Sequence, residues 1–109
     1  MACDLCDGPG GKLLFDGGRW RVVAVEGDEA RDYPGFCRVV WDAHVREMTD
    51  LADADRDDFM RAVFAVETAL RDALKPLKVN LASLGNLTPH LHWHVIPRYT
   101  DDAHFPQPT

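Results

Sequence analysis

The sequence has no cluster of basic residues and no long apolar run. It carries 12 Lys and Arg residues against 18 Asp and Glu residues, which gives a formal net charge of −6 at pH 7. Binding of a nucleic acid polymer needs concentrated positive charge, and a membrane span needs about 20 apolar residues, so we expect neither a nucleic acid nor a membrane as partner. No apolar leader opens the sequence, which predicts a cytoplasmic protein.

Cysteine is also scarce, because the chain has only three in 109 residues. An odd number is unsuited to a framework of structural disulfides. Cys3 and Cys6 form a Cys-x-x-Cys pair, a spacing that is typical of a metal site or a redox pair in a reducing compartment. Cys37 stands apart and is predicted to be a small buried apolar residue.

The length predicts a single domain over residues 1–109 with a modest core. The long helix is its clearest element, because apolar residues recur at steps of three and four: Phe59, Val63, Val66, Leu70 and Leu74. Patterning predicts, in order, an N-terminal Cys-x-x-Cys segment (1–12), a hairpin (13–15 and 20–26), a loop (27–35), a third strand (36–41), a short helical segment (47–51), the long helix (about 53–75), a fourth strand (78–84) and an extended tail (99–109).

The stretch from residue 89 to 98 is the richest in chemistry. His90, His92 and His94 alternate there with apolar residues. Successive side chains of a β-strand point to opposite faces, so this spacing predicts a fifth strand with imidazoles on one face and core residues on the other. Three imidazoles could ligate a metal, perform nucleophilic or acid–base chemistry, or lie in a polar core. The last use is disfavoured because each ring needs partners for two nitrogens.

The segment from residue 90 to 96, which reads His-Leu-His-Trp-His-Val-Ile, resembles the signature of the histidine-triad (HIT) family. The order of the other elements is also similar to that of the family, from the Cys-x-x-Cys pair to the long helix. The chain looks most like the small bacterial HIT hydrolases described as diadenosine tetraphosphate hydrolases. The resemblance implies an α+β fold, in which a five-stranded antiparallel sheet carries one long helix and a shorter helical segment, and a homodimer.

The activity that the resemblance implies is attack on the α-phosphate of a purine nucleotide, either a nucleoside phosphoramidate or a dinucleoside polyphosphate. His92 would be the nucleophile and would form a nucleotidyl-histidine intermediate that water cleaves. His94 would bind the phosphoryl oxygens and assist the leaving group, and His90 would orient its neighbour or ligate zinc. No catalytic cofactor is implied, because covalent catalysis by an imidazole needs no metal at the reacting phosphate.

Three further residues match positions that the family uses to bind its substrate, and a fourth candidate, Thr88, lies one step after such a position. Asn80 matches a residue at the ribose–phosphate region, Gly85 one that lets backbone approach phosphate, and Glu26 one that meets the ribose hydroxyls. Thr88 is a phosphate-binding candidate through its hydroxyl or its N–H. Asn80 and Gly85 also have ordinary structural interpretations, as an amide at the end of a strand and as a turn glycine.

Two positions depart from the family pattern. The family usually places a serine or threonine three residues before the triad, where this chain has Leu87, and many members carry a fourth active-site histidine where this chain has Phe36. These departures motivate one alternative, a nucleotide-binding adaptor with a degenerate active site.

Zinc is the one metal that the resemblance implies. Cys3, Cys6, His44 and His90 match by order the two cysteines and two histidines that bind structural zinc in some HIT proteins, and such a set favours tetrahedral coordination. A second alternative is a metal-centred enzyme in which all three histidines of the triad hold one ion.

Overall fold

Five strands form one antiparallel sheet in the computed structural model, which describes residues 3–108. The strands are β1 (Lys12–Asp16), β2 (Trp20–Ala24), β3 (Cys37–Trp41), β4 (Lys78–Ala82) and β5 (His92–Arg98), and they lie in the order β1-β2-β3-β5-β4. The helices of the same range are α1 (Asp4–Asp7), α2 (Asp28–Asp32) and α3 (Asp53–Leu74), with a 3₁₀ turn at Met48–Asp50. The predicted α+β class, with a five-stranded antiparallel sheet and one long helix, is confirmed.

Helix α3 packs its apolar stripe on one face of the sheet. Phe59 and Val63 are fully buried there, and burial of one such side chain stabilises the fold by about 1.5 to 3 kcal/mol. The apolar residues of the stripe are less buried toward the C-terminal end of α3, where Leu74 is 42% exposed. The helix stops there because Lys75 adopts a left-handed conformation (φ 52°) and Pro76, which cannot continue a helix, follows it. The sheet residues in this core are Val22, Val39, Trp41 and Val95.

Two small apolar clusters pack on the opposite face of the sheet, one toward each end. At one end Leu5 of α1 packs on Val23 and Val40. A second apolar cluster at the other end consists of Val25, Tyr33, Phe36 and Ile96. Between the two clusters, this face carries polar side chains of β3 and β5, namely Arg38, His92 and His94. We call this region the histidine face.

The N-terminal segment is held beside the histidine face by Arg21 of β2. Its guanidinium donates to the carbonyl oxygens of Leu5 (2.7 Å), Gly8 (3.1 Å) and Pro9 (3.0 Å) and forms an ion pair of 2.7 Å with Asp42. All of these contacts are directed to one short segment and one loop. Arg21 is therefore saturated with structural partners.

The C-terminal segment is held in the same way by Arg98, at the end of β5. Its side chain is 3% exposed and pairs with the fully buried Asp102 carboxylate at 2.7 Å. It also donates to Asn80 Oδ1 (2.8 Å) and to the carbonyl oxygens of Gln107 (2.7 Å) and Pro108 (2.7 Å). A buried charge is tolerated only with such a complete set of partners.

The tail prediction was wrong in one respect, because residues 99–108 fold into turns rather than running extended. The Asp102 carboxylate accepts hydrogen bonds from the backbone N–H groups of Tyr99 (3.0 Å), His104 (3.1 Å) and Phe105 (2.7 Å), and this closes the turns. The loop predicted over 27–35 likewise contains the short helix α2. Residues 1, 2 and 109 of the predicted terminal segments lie outside the described residues.

Each strand differs from its predicted range by one or two residues at one end or at both. β5 begins at His92, two residues later than the alternation predicts, because the N–H of His90 bonds back to the Thr88 carbonyl (2.8 Å) in a turn. β4 ends at Ala82 instead of residue 84. Among residues 3–108, no helix has both the length and the apolar character needed to cross a bilayer.

Candidate active site

His92 and His94 are neighbours on the histidine face, as the alternation predicts. Their ring centroids lie 4.9 Å apart, with the ring planes at 71°. Nδ1 of His92 lies 2.6 Å from the carbonyl oxygen of His90. A carbonyl can only accept, so Nδ1 carries the hydrogen and Nε2 keeps its lone pair. The contact thus fixes both the ring orientation and the tautomer of His92, and leaves Nε2 as its free nucleophilic atom.

Both rings are poor proton acceptors in the folded protein. Burial, followed by the nearby charges of His92 and Arg38, lowers the pKa of His94 to about 4. Burial is also the main cause that lowers the pKa of His92, and the Arg38 charge acts in the same direction. Near pH 7 the two side chains are therefore neutral imidazoles, each with one lone pair and one N–H.

The His90 ring turns away from this pair. Its Nε2 lies 2.6 Å from the carbonyl oxygen of Trp41 and must donate, so Nδ1 presents a lone pair. That Nδ1 lies 3.4 Å from Cys3 Sγ and 3.5 Å from Cys6 Sγ. A backbone carbonyl that fixes the tautomer of a histidine in this way is the usual support of a metal ligand.

His44 completes the group, with its Nδ1 at 3.3 Å from Cys6 Sγ. The ligand atoms of Cys3, Cys6, His44 and His90 all lie within 4.8 Å of one another. Sulfur and nitrogen ligands of a tetrahedral zinc ion lie about 3.6 Å apart, because Zn–S is about 2.3 Å and Zn–N about 2.05 Å. The four predicted ligands are thus brought together at a spacing that fits the ion. Within residues 3–108 this is the one cluster of potential ligands of this kind, and the three triad histidines do not form another.

The loop from residue 83 to 89 joins β4 to the triad. Gly85 has φ +124°, and a Cβ there would lie 3.1 Å from the Thr88 carbonyl oxygen, so the turn itself requires glycine. Leu87 is 96% exposed. Leu87 and Thr88 border a cavity of about 510 Å³ on the side of the thiols, with Cys3, Asp4, Cys6, His44 and Pro89. The phosphate-binding roles of Gly85 and Thr88 remain predictions.

Asn80 lies in β4 and Glu26 just beyond the end of β2, on opposite sides of β3 and β5 in the strand order. The Asn80 carbonyl oxygen accepts from Arg98, which leaves its side-chain NH₂ group as the part that could meet a ligand. Glu26 is exposed just beyond the end of β2. Their predicted contacts with ribose and phosphate also remain predictions.

Two polar residues of the site were not predicted from the sequence. Arg38 of β3 lies directly opposite His94 in the pairing of β3 with β5. Ser83 donates from Oγ to the carbonyl oxygen of His92 (2.9 Å), which supports the start of β5. The signal for Arg38 was its position as the one charged residue within an apolar strand, and it became informative only once the partner strand was known.

Comparison with known protein families gives a match to the HIT domain over residues 21–101. The chain belongs to the HIT family. The matched range includes the whole histidine triad, and the family predicted from residues 90–96 is confirmed.

Solved HIT proteins share the fold of this HIT chain. A histidine triad protein from Bradyrhizobium japonicum is 31% identical, with a TM-score of 0.79 over 90% of this chain and 72% of that one. A HIT protein from Sinorhizobium meliloti is 25% identical, with a TM-score of 0.82 over 93% of this chain and 73% of that one.

A curated relative of this HIT chain is the AP-4-A phosphorylase of Mycobacterium tuberculosis. The two are 31% identical over 78 residues, which is 66% of this chain and 40% of the relative. The chain thus spans less than half the length of that relative.

Proposed function

We propose that this HIT protein transfers the nucleotidyl group of a purine nucleotide to water through a covalent intermediate on His92. The observation that carries the proposal is the hydrogen bond from His92 Nδ1 to the His90 carbonyl, which leaves Nε2 as a neutral, oriented nucleophile. The centre of the His94 ring lies 4.9 Å from the centre of the His92 ring. Histidines with a purely structural role in a polar core have hydrogen-bond partners for both ring nitrogens. In His92, Nδ1 has the His90 carbonyl as its partner and Nε2 keeps its lone pair.

The reaction has two displacements at the same phosphorus. In the first, the Nε2 lone pair of His92 forms a bond to the α-phosphorus and the bond to the leaving group breaks with its electron pair. In the second, a water oxygen attacks the phosphorus, the P–N bond breaks, and the electron pair returns to Nε2 while the water proton is released. A neutral His94 can donate its N–H to a phosphoryl oxygen in both steps, where negative charge accumulates.

The substrate class is a dinucleoside polyphosphate or a nucleoside phosphoramidate. A polyphosphate leaves as a stable anion, whereas an amine must take up a proton as it leaves, so the two substrates place different demands on His94. The name of the Mycobacterium relative, AP-4-A phosphorylase, supports the first class.

The test is to trap the intermediate. The protein is mixed with diadenosine tetraphosphate or adenosine 5′-phosphoramidate, quenched at alkaline pH because P–N bonds to histidine hydrolyse in acid, and digested for mass spectrometry. We expect an adenylyl group on His92 and release of AMP with at least one of the substrates. An adduct on another residue would overturn the mechanism, and tight AMP binding without turnover of either substrate would favour the adaptor alternative.

We further propose that Cys3, Cys6, His44 and His90 hold one structural zinc ion. The spacing of their ligand atoms and the tautomer of His90 support this. The bound ion would cross-link the N-terminal segment to the start of the triad and would supply no group to the reacting phosphate. The alternative in which the three histidines hold one catalytic ion lacks such a clustering of ligand atoms within residues 3–108.

Zinc removal is expected to lower stability and not the rate. We expect one zinc per chain by elemental analysis, and a fall of at least about 5 °C in Tm after chelation, which corresponds to about 1 kcal/mol. Turnover below the new Tm should stay within about twofold. Cys6→Ser should lose the metal, whereas Cys37→Ala, which changes a buried thiol outside the cluster, should keep it. Loss of turnover in a chelated but folded protein would favour the metal-centred enzyme.

The edge of the sheet at β4 supports a homodimer as the quaternary structure. β4 pairs only with β5 among the described strands, so its other side offers unpaired backbone groups. Beside it lies a groove between α3 and β4, bordered by Glu67, Arg71, Pro76, Leu77, Lys78, Val79 and Leu81, and Leu77 is 64% exposed there. A second copy paired in the antiparallel sense would cover both features.

A further inference from the structure

Arg38 places a positive charge in the middle of the histidine face. It is paired with His94 on one side and with Val23 on the other, in the register of β3 with its two neighbouring strands. Its guanidinium carbon lies 5.6 Å from the centre of the Phe36 ring, and that ring is 5.4 Å from the His94 ring. Arg38 therefore belongs to the same group of side chains as the reacting imidazoles.

The guanidinium of Arg38 is held loosely. It donates to the Gly10 carbonyl oxygen at 3.2 Å, and its nearest carboxylate oxygen, on the 59% exposed Glu29, is 3.6 Å away. Its Nε is buried and has no hydrogen-bond partner among residues 3–108. The side chain as a whole is 20% exposed, so it reaches the surface of the histidine face.

The other two arginines on this face of the sheet are different. Arg21 makes four hydrogen bonds of 3.1 Å or less, and Arg98 makes five. Their N–H groups donate to acceptors within the protein. A buried guanidinium that lacks such partners is costly unless something else supplies acceptor oxygens. Among the three, Arg38 is the one whose donors remain for a ligand.

The site also needs a cation. The protein has a net charge of −6, and burial lowers the pKa of His94 to about 4. Leu87, which is 96% exposed, has no hydroxyl to offer a phosphate. An approaching phosphate thus requires a positive group within reach of His94. Guanidinium is suited to this task because it remains charged and donates two parallel hydrogen bonds to phosphate oxygens.

We propose that Arg38 binds the α-phosphate of the nucleotide and selects ligands that carry a 5′-phosphate. This inference rests on the proposed function, which it deepens by naming the residue that holds the phosphate in position beside His94. Glu29 is then the competing anion, which pairs with the guanidinium at 3.6 Å before the phosphate arrives.

The test compares AMP with adenosine, which differ only in the phosphate. Affinities of both are measured by isothermal titration calorimetry for the wild type, Arg38→Met and Arg38→Lys. We expect Arg38→Met to weaken AMP binding about 10- to 100-fold, as loss of charged hydrogen bonds does, and to leave adenosine binding within twofold. Arg38→Lys keeps a point charge without the fork of donors and should lose only part of the AMP affinity.

Two variants serve as matched controls. Glu29→Gln removes the competing carboxylate and should tighten AMP binding a few-fold. Arg31→Met removes the same charge as Arg38→Met from an exposed position paired with Asp28, and should change AMP binding by less than twofold. These two variants and Arg38→Lys keep the proposal testable if Arg38→Met does not fold.

The outcomes separate this inference from the proposed function. Equal weakening of AMP and adenosine, or no weakening of either, would show a purely structural Arg38 and overturn the inference while leaving turnover and the His92 adduct intact. Selective loss of AMP binding in a protein that turns over no substrate would support Arg38 and overturn the enzyme. A wild type that forms the His92 adduct but does not bind AMP would overturn the inference and leave the proposed function intact.

Discussion

Replacement of His92 by asparagine is expected to lower kcat/KM for the best substrate by about 10⁴-fold or more, as loss of a nucleophile does in other covalent enzymes. The asparagine amide can still donate to the His90 carbonyl, so the start of β5 should keep its structure. The measurement is steady-state release of AMP, together with the absence of the adenylyl adduct. AMP binding should change much less, because Arg38 and His94 remain.

His104→Asn provides the control for this variant. His104 lies in the tail, where its Nδ1 is hydrogen-bonded to the Tyr33 hydroxyl at 2.6 Å. Its replacement should leave kcat/KM within about twofold. A His92→Asn protein that keeps a tenth or more of the wild-type rate would contradict the assignment of the nucleophile.

The second large effect concerns stability. We expect Asp102→Ala to lower the free energy of unfolding by about 3 to 5 kcal/mol, because it leaves the guanidinium of Arg98 buried without its counter-ion. It also removes the acceptor that closes the turns of residues 99–108. Urea unfolding followed by tryptophan fluorescence measures the change.

Asp101 is the matched control, since it is the neighbouring, exposed carboxylate. Asp101→Ala should cost less than about 0.5 kcal/mol. The double variant Arg98→Met with Asp102→Leu should recover part of the lost stability, because it removes both buried charges. Equal effects of the two single alanine variants would contradict the importance assigned to the buried pair.

This pair also predicts how stability depends on pH. The hydrogen bond from Arg98, followed by three backbone N–H groups, holds the pKa of Asp102 well below its ordinary value of 3.8, and burial opposes this in part. In the unfolded chain the carboxylate takes up a proton near pH 3.8, before the folded protein does. Stability is therefore lost as the pH falls below about 4, and this loss should be smaller in Asp102→Ala, which has no carboxylate to protonate.

The sequence sufficed for elements whose side-chain period is regular. The steps of three and four from Phe59 to Leu70 predict α3, and the alternation at His92 and His94 predicts the polar face of β5. The four candidate zinc ligands follow from the resemblance to the HIT family, and the structure brings them together.

Contacts between distant strands could not be predicted in this way. The register of β3 with β5 places Arg38 opposite His94. The turns after β5 bring the Asp102 carboxylate back to Arg98. The periodicity of side chains along one segment predicts neither the order of strands in a sheet nor the conformation of a tail. Helix α2 was missed because five residues are too few for a periodic signal.

The position of His90 has a consequence for mutagenesis. Its side chain contacts the thiols of Cys3 and Cys6, whereas its main-chain carbonyl oxygen accepts the hydrogen bond that orients His92. Any amino acid placed at position 90 brings the same oxygen, so a substitution there tests the proposed zinc site and leaves the acceptor of the His92 hydrogen bond chemically unchanged. Only replacement of the peptide linkage itself, for example by a thioamide at that bond introduced through chemical synthesis, would alter that acceptor.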